Sequence, residues 1–474
     1  MWSILLTSAL VIYIVQIAAV FIMENRRPAQ LTAWLLIAFA CPFIGFIAYL
    51  LLGKDYVKRK RIERFKEESV RYANEISEKS ISAEQLGNEQ FINQEKLYTM
   101  LTGLVPFPIT SNNETRILTN GHETFEAILG HLELAEHHIH MDYYTIRDDD
   151  VGKRFLEVLT RKAREGIEVR VVYDGIGSIH LSDAYVEDLR RAGVQTSCFL
   201  PPRIALFDRK LNYRNHRKIV VVDGKVGFVG GINIGDEYLG KNQKLGFWRD
   251  THLQLMGNSV YYLQEIFMND WAFAASEELS GQVYMPKHIA MGNEHVLIVS
   301  SKPGQHNHQI VEVMFAAINA ASSRIYIATP YFIPDPSLMM GLRTAALGGV
   351  DVRLIIPGIG DSKMVLLATL SYIQEMLDAG VKVYRYQKGF IHAKVMIVDQ
   401  MLATVGTANV DMRSLLSNFE LNAVLFDQGT IKRLEADFIE DLKHSRELDP
   451  REFIRRPYRQ KMAEALFRML SPLL

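Results

Sequence analysis

Two short stretches hold residues able to do nucleophilic and acid–base chemistry. The first, NHRKIVVVDGKVGFVGGINIG, carries His216, Lys218, Asp223, Gly230 and Asn233. The second, IHAKVMIVDQMLATVGTANVD, carries His392, Lys394, Asp399, Gly406 and Asn409 at the same offsets. A strand turns alternate side chains to one face, so His216 and Lys218 point together, as do His392 and Lys394. The apolar runs Ile219 to Val222 and Val395 to Val398 seat each strand in a core. One such motif arises by chance where a half-buried strand meets a polar turn. Two in register imply a duplicated domain whose halves each bring a His and a Lys to a shared site.

That set suits a phosphodiester. A neutral imidazole attacks phosphorus and forms a phosphohistidine, while a second, protonated, gives its proton to the leaving alkoxide and later takes one from the incoming hydroxyl. The lysines and the Asn233 and Asn409 amides offset charge on the non-bridging oxygens. Unequal protonation of the two histidines calls for a carboxylate on each ring. Asp250 in WRDTHLQL and Glu420 in NFELNAVL are the candidates, equivalent in context once a short insertion after Asn233 is allowed. Asp223 and Asp399 join the catalytic set by motif. Both also stand where a strand ends, so fixing the following turn is the other role open to them.

The elements that must hold these residues repeat as well. His122 to Leu134 has helical spacing, His138 to Tyr144 reads as a strand, Val151 to Arg164 as an amphipathic helix, and Gly166 to Ser178 as a buried strand with a glycine turn. Gln309 to Ala321, Arg324 to Ala328, Ser337 to Leu347 and Gly349 to Asp361 follow in the same order. The predicted fold class is α/β: two sandwich halves related by a pseudo-two-fold axis. Gly175 and Gly177 form a tight turn, since the third glycine and acidic follow-on of a dinucleotide site are missing. His138, His140 and Asp142 share a strand face, but no second cluster completes a ligand set, so no metal and no cofactor is assigned.

The chain has 474 residues, 48% hydrophobic and 23% charged, with a formal net charge of −1. A large core is within reach, and the charge balance gives no reason to expect nucleic acid. Two cysteines, Cys41 and Cys198, make no disulfide framework. Trp2 to Met23 and Leu31 to Leu52 are uncharged, each near the ~20 residues that cross a bilayer, and predict a transmembrane hairpin with both ends on one side. A cleaved signal peptide is the other reading of the first run; it lacks a basic start, and a second apolar run follows at once. Lys54, Lys58, Arg59, Lys60, Arg61, Arg64 and Lys66 outnumber Arg26 and Arg27 of the turn, which predicts a cytoplasmic location for the remainder. The expected organisation is a hairpin (1–53), a basic helical connector (54–109), two halves (110–285 and 286–450) and a basic amphipathic tail (451–474).

The paired motifs resemble those of the phospholipase D superfamily, in which both copies build one metal-independent site. The ENRRP turn between two apolar runs, IGDEYLG, WRDTH and the closing SPLL are similar to a narrower family, the bacterial cardiolipin synthases. The similarity covers nearly the whole chain and departs at Lys302, where the family pattern has glycine. It implies a multi-pass protein of the bacterial cell membrane that condenses two phosphatidylglycerol molecules to cardiolipin and glycerol. It also implies that His216 takes the phosphatidyl group while His392 acts as acid, then base; nothing in the residues themselves divides those roles. Arg249, Arg413 and Ser414, near the motifs in sequence, are candidate contacts to headgroup phosphate.

Two further readings stay open at this level: a hydrolase using water as acceptor, and a membrane-tethered scaffold. Both motifs are intact, which argues against the scaffold, and the apolar N-terminus favours a lipid acceptor. In the tail, Met462, Leu466, Met469, Leu470 and Leu473 recur at helical spacing, fitting either an interfacial helix or one docked on the domain. Acyl preference and oligomeric state leave no mark in the sequence.

Overall fold

The strands predicted from apolar runs form, and the computed structural model joins them into one sheet. It describes residues 2–24, 28–52, 86, 91, 94–201, 213–288, 291–303 and 308–471. The basic cluster from Lys54 to Lys66, Arg26, Arg27 and most of the 54–109 connector lie outside these residues. The first half runs through β1 (Thr110–Thr119), β2 (His138–Tyr143), β3 (Glu168–Asp174), β4 (Gln195–Phe199), β5 (Arg214–Asn215), β6 (Lys218–Val222), β7 (Val226–Gly230), β8 (Phe247–Arg249) and β9 (Thr251–Met256). The second runs through β10 (Glu294–Ser301), β11 (Arg324–Ala328), β12 (Phe332–Ile333), β13 (Asp351–Pro357), β14 (Lys382–Tyr386), β15 (Gly389–Ile391), β16 (Val395–Val398), β17 (Leu402–Gly406), β18 (Val410–Asp411), β19 (Asn418–Leu425) and β20 (Ser445–Glu447).

Antiparallel pairing of β1 with β10 joins the halves, Thr110 opposite Val296. Outward from that seam the first half reads β1, β9, β7, β6, β2, β3, β4, and the second β10, β19, β17, β16, β11, β13, β14. Position for position these are the repeated elements. Helices cover the sheet, so inner strands such as β2 and β6 are buried along their whole length rather than alternately. The helix Asp150–Arg164 shows how they dock: Asp149 caps it by accepting from the Gly152 N–H at 3.0 Å, and Val151, Phe155, Val158 and Leu159 form its buried stripe.

Two short pairings cross between the halves and matter most for chemistry. β5 lies parallel to the start of β19, with Asn215 opposite Phe419. β8 lies parallel to β15, with Arg249 opposite Ile391. Each therefore sets the residue before a motif histidine beside the residue before the other half's candidate acid.

The N-terminal region differs from expectation. α1 (Trp2–Glu24) is one apolar helix, but the run expected as a single span from Leu31 to Leu52 is two helices, α2 (Pro28–Ala40) and α3 (Ile44–Leu52). Pro42 has no N–H to continue the first, and Phe43 takes a left-handed conformation (φ 65°) that turns the chain.

The tail forms the helix Tyr458–Leu470, which docks on the helix Lys363–Asp378. Polar contacts accompany the packing of Phe467 on the core. The Arg468 guanidinium lies 4.4 Å from the centre of the Tyr372 ring and donates to the Ser371 carbonyl at 3.1 Å, and Arg456 pairs with the buried Glu464 at 2.8 Å. Met462, Leu466 and Met469 remain exposed, so the docked face is not the apolar stripe.

Candidate active site

Each motif histidine is fixed by the opposite half. The His216 N–H donates to the Phe419 carbonyl at 3.0 Å, and the His392 N–H to the Arg249 carbonyl at 2.7 Å. The next residue in each case is the candidate acid. His216 Nδ1 lies 3.0 Å from a Glu420 oxygen, and His392 Nδ1 lies 2.7 Å from Asp250 Oδ2. With Nδ1 engaged, Nε2 is the free position of each ring. The lysines follow the same plan: Lys218 Nζ donates to the His216 carbonyl and Lys394 Nζ to the His392 carbonyl, both at 2.6 Å.

Burial sets the electrostatics. It pushes His216 and His392 down to about 4, against the pull of Glu420 and Asp250, so both rings are neutral at pH 7 before an anion arrives. Burial likewise pushes Lys218 down to about 7 and Lys394 to about 8, each opposed by the two carboxylates. Burial works to raise Asp250 and Glu420, yet the facing histidines and lysines hold both below the ordinary carboxylate range. The mutual influence of Lys218, Lys394, Asp250 and Glu420 across the halves marks a single site.

The two acids are held differently. Glu420 also accepts from the Thr407 hydroxyl and from Asn418 Nδ2, so its charge is shared among several donors. Asp250 accepts from the Thr251 N–H at 2.8 Å and from Trp248 Nε1 at 3.5 Å, beside its 2.7 Å contact to His392. Where the second half has Thr407, the first has Gly231, and a Cβ there would meet Asp250 Oδ1 at 2.1 Å. Gly231→Ala is therefore expected to displace the carboxylate and lower kcat on the order of 100-fold with little change in KM, since ring orientation serves the chemical step. Steady-state kinetics on the variant check this; a KM effect alone would contradict it.

Several sequence assignments need correction. The Asp223 carboxylate lies at the far end of β6 and accepts from the N–H groups of Glu136, His137 and His138 at 2.7–2.9 Å. Asp399 does the same for Ser322, Ser323 and Arg324 at 2.7–2.9 Å. These motif aspartates tie down the turn before β2 and β11, with both carboxylate oxygens engaged there rather than at the histidines. Asp223→Ala and Asp399→Ala, each stranding three N–H groups, are expected to cost ~2–4 kcal/mol of stability while the protein that remains folded keeps its kcat. Thermal unfolding and active-site-normalised rates check both halves of that statement.

Arg249 is likewise engaged within the fold. It is buried, donating from Nε to Asp441 at 2.8 Å and from its terminal nitrogen to Thr251 Oγ1 at 3.0 Å. Ser414 is buried beneath Asn409, accepting from its Nδ2 at 3.1 Å while donating to Asp411. Asn233 uses one N–H on the Tyr238 hydroxyl at 2.6 Å and its oxygen on the Thr145 N–H at 3.2 Å. Arg413 is partly exposed, its Nε buried without a partner among the described residues, and its charge reaches Tyr144 beside His216. Lys302 stands near the buried Glu265, which burial pushes up to about 7. His138 and His140 are bridged by Gln264 at 3.1 and 2.8 Å inside the core.

Sequence reasoning missed the rings and hydroxyls around the histidines. Tyr144 packs edge-on against His216 at 4.8 Å, and Trp248 lies 5.1 Å from His392. Gly177 permits the first contact, because a Cβ there would meet the Tyr144 ring at 2.6 Å. The turn glycines at Gly175 and Gly177 were thus a usable signal. Trp248 had one too, standing two residues before Asp250.

A duplicated α/β sheet with two crossed His–carboxylate pairs and two lysines at one seam defines a phospholipase D-like phosphotransfer domain. The model described as "Cardiolipin synthase, PLD-like domain" matches residues 128–271 and 314–442, and that described as "Phospholipase_D-nuclease N-terminal" matches 5–54. The chain is 44% identical to a cardiolipin synthase of Geobacillus kaustophilus, over 97% of this chain and 92% of that one. It is 45% identical to cardiolipin synthase 2 of Bacillus cereus, over 97% and 89%. The fold matches a crystal structure of the phosphatidylserine synthase of Haemophilus influenzae at a TM-score of 0.62 and 15% identity, covering 80% of this chain and all of that one. The chain belongs to the PLD-like cardiolipin synthase family.

Proposed function

We propose that the chain is a membrane-bound phosphatidyltransferase that condenses two phosphatidylglycerol molecules to cardiolipin and glycerol through a phosphohistidine. The observation that carries the mechanism is the crossed pairing of His216 with Glu420 and of His392 with Asp250. A pseudo-two-fold axis through the β1/β10 seam accounts for it, as the matching strand orders on either side suggest. On this reading the halves are 110–285 and 286–450.

His216 Nε2 attacks the donor phosphorus, and the bond to the glycerol oxygen breaks as His392 supplies that oxygen's proton. His392 then removes the proton from the terminal hydroxyl of the second phosphatidylglycerol, whose oxygen attacks phosphorus and expels His216. The division of roles between the two rings follows the family resemblance, since each acid is shared with other donors: Glu420 also accepts from Thr407 and Asn418, and Asp250 also accepts from the Thr251 N–H and Trp248 Nε1. The bound phosphodiester anion raises the pKa of His392, which takes up a proton from solvent before the first step while His216 stays neutral, and Lys218 and Lys394 stabilise the non-bridging oxygens.

The lysines act only as cations. Rising pH through about 7 to 8 neutralises them, so kcat/KM for phosphatidylglycerol is expected to fall across that window and beyond. A profile that stays flat to pH 10 would contradict their role.

Incubating the purified protein with phosphatidylglycerol vesicles in chelator, then analysing lipid and glycerol, tests the reaction. Cardiolipin and glycerol in equal amounts are expected; phosphatidic acid alone would make the chain a hydrolase. The bacterial cell membrane, with the catalytic halves in the cytoplasm, is the location this substrate and the basic residues after Leu52 support.

A further inference from the structure

We infer that the chain crosses the bilayer once, on α1, and that α2 and α3 enter one leaflet only and leave on the side they entered. The N-terminus and the catalytic domain then lie on opposite faces.

Length and path carry this. α1, with 23 residues, is roughly 34 Å long and matches the ~30 Å hydrocarbon core, whereas α2 with 13 and α3 with 9 do not reach across. Laid end to end they would span, but they are folded on each other. The rings of Trp34 and Tyr49 lie 5.5 Å apart, against roughly 22 Å in a straight helix. Gly45 lets the two helices close, since a Cβ there would meet the Ile37 carbonyl oxygen at 2.7 Å and Ala38 Cα at 2.8 Å.

The depth is also on record. The tip residue Phe43 meets Tyr13, midway along α1, at 6.4 Å between rings. Nearer the α1 C-terminus, Val20 clusters with Trp34 of α2 and Tyr49 of α3, so α3 runs back alongside α2 toward the side on which α2 began. A turn at mid-bilayer needs its polar backbone paired. Here the N–H groups of Cys41, Ile44, Gly45 and Ile47 bond to Ile37, Pro42, Cys41 and Phe43 at 2.7–3.0 Å, and Pro42 has none to satisfy. Phe39, Phe43, Ile44 and Ile47 face outward from the tip, an apolar surface suited to acyl chains.

The opposite end of the fold agrees. α2 touches the helix Tyr458–Leu470, which is docked on the catalytic domain, so the hairpin sits against that domain. Charge agrees too. Two full spans would put Arg26 and Arg27 across the membrane from the basic run Lys54 to Lys66, whereas a half-depth hairpin leaves all of them on one side.

The test uses the full chain with Cys41→Ala and Cys198→Ala, carrying Ser3→Cys or Ser280→Cys, both exposed positions. A membrane-impermeant maleimide is expected to modify Ser3→Cys in intact protoplasts and Ser280→Cys only after the membrane is opened. Modification of both under the same condition would overturn the single crossing. The inference rests on membrane anchoring, which is read separately: release of the chain by alkaline washing would overturn both. Labelling in the reverse order keeps the single crossing and refutes only the cytoplasmic placement of the domain.

Discussion

His216→Ala is expected to abolish cardiolipin formation, and His392→Ala to slow it on the order of 10³-fold, about 4 kcal/mol of barrier, with no more than a small change in melting temperature. The size follows from the crossed geometry. His216 is held by Glu420 and His392 by Asp250, so neither half owns a complete site. Were the halves independent, each single variant would keep about half of the activity, which is a different outcome by orders of magnitude. Removing His392 costs both steps, because the same Nε2 gives the proton to glycerol and takes one from the second lipid. Removing His216 leaves no atom to carry the phosphatidyl group. Turnover of each variant with phosphatidylglycerol vesicles, with unfolding curves alongside, reads the difference.

The largest stability effect is expected between the two motif residues, at Arg217. Its side chain is completely buried, paired with Asp270, and donates to the carbonyls of Ser301 at 3.1 Å and Glu420 at 3.3 Å. It also covers the Phe419 ring, 5.5 Å from its centre. Arg217→Ala strands Asp270 next to Asp142, whose own carboxyl is raised well above the ordinary range by burial and by Asp270. Breaking a buried pair from one side costs ~3–5 kcal/mol, whereas replacing both charges with apolar groups of similar volume costs far less. Unfolding of Arg217→Ala, Asp270→Leu and the double variant Arg217→Met/Asp270→Leu forms the test, and the double variant is expected to be the most stable of the three. A single variant within 0.5 kcal/mol of the parent would refute the assignment.

How far such features show in a sequence depends on their range. The helix and strand spans were legible because burial on one face leaves a local period, as in Val151 to Arg164 and in the matched strands ending at Asp174 and Pro357. The motif His, Lys and acid positions were legible because duplication displays them twice. Arg217 was not, since its counterpart is Ala393 and its partner stands on a helix 53 residues away. Arg249 was misread for the same reason: its partner Asp441 is 192 residues distant. The motif aspartates misled differently. Their spacing was correct, but five residues along a strand carry Asp223 and Asp399 roughly 16 Å from the lysines, to the end where the preceding turn needs an acceptor. Hydropathy reads Leu31 to Leu52 as one helix because it sums apolar residues regardless of path, while Pro42 and Gly45 divide the run into two.

The most direct test of the shared site is capture of the covalent intermediate. The protein, quenched soon after mixing with phosphatidylglycerol and analysed by peptide mass spectrometry under conditions that preserve phosphoramidates, is expected to carry one phosphatidyl group on His216. None is expected on His392, and the signal should vanish in His216→Ala. A phosphatidyl group on His392 of that variant, or turnover with no adduct on either ring, would contradict the mechanism.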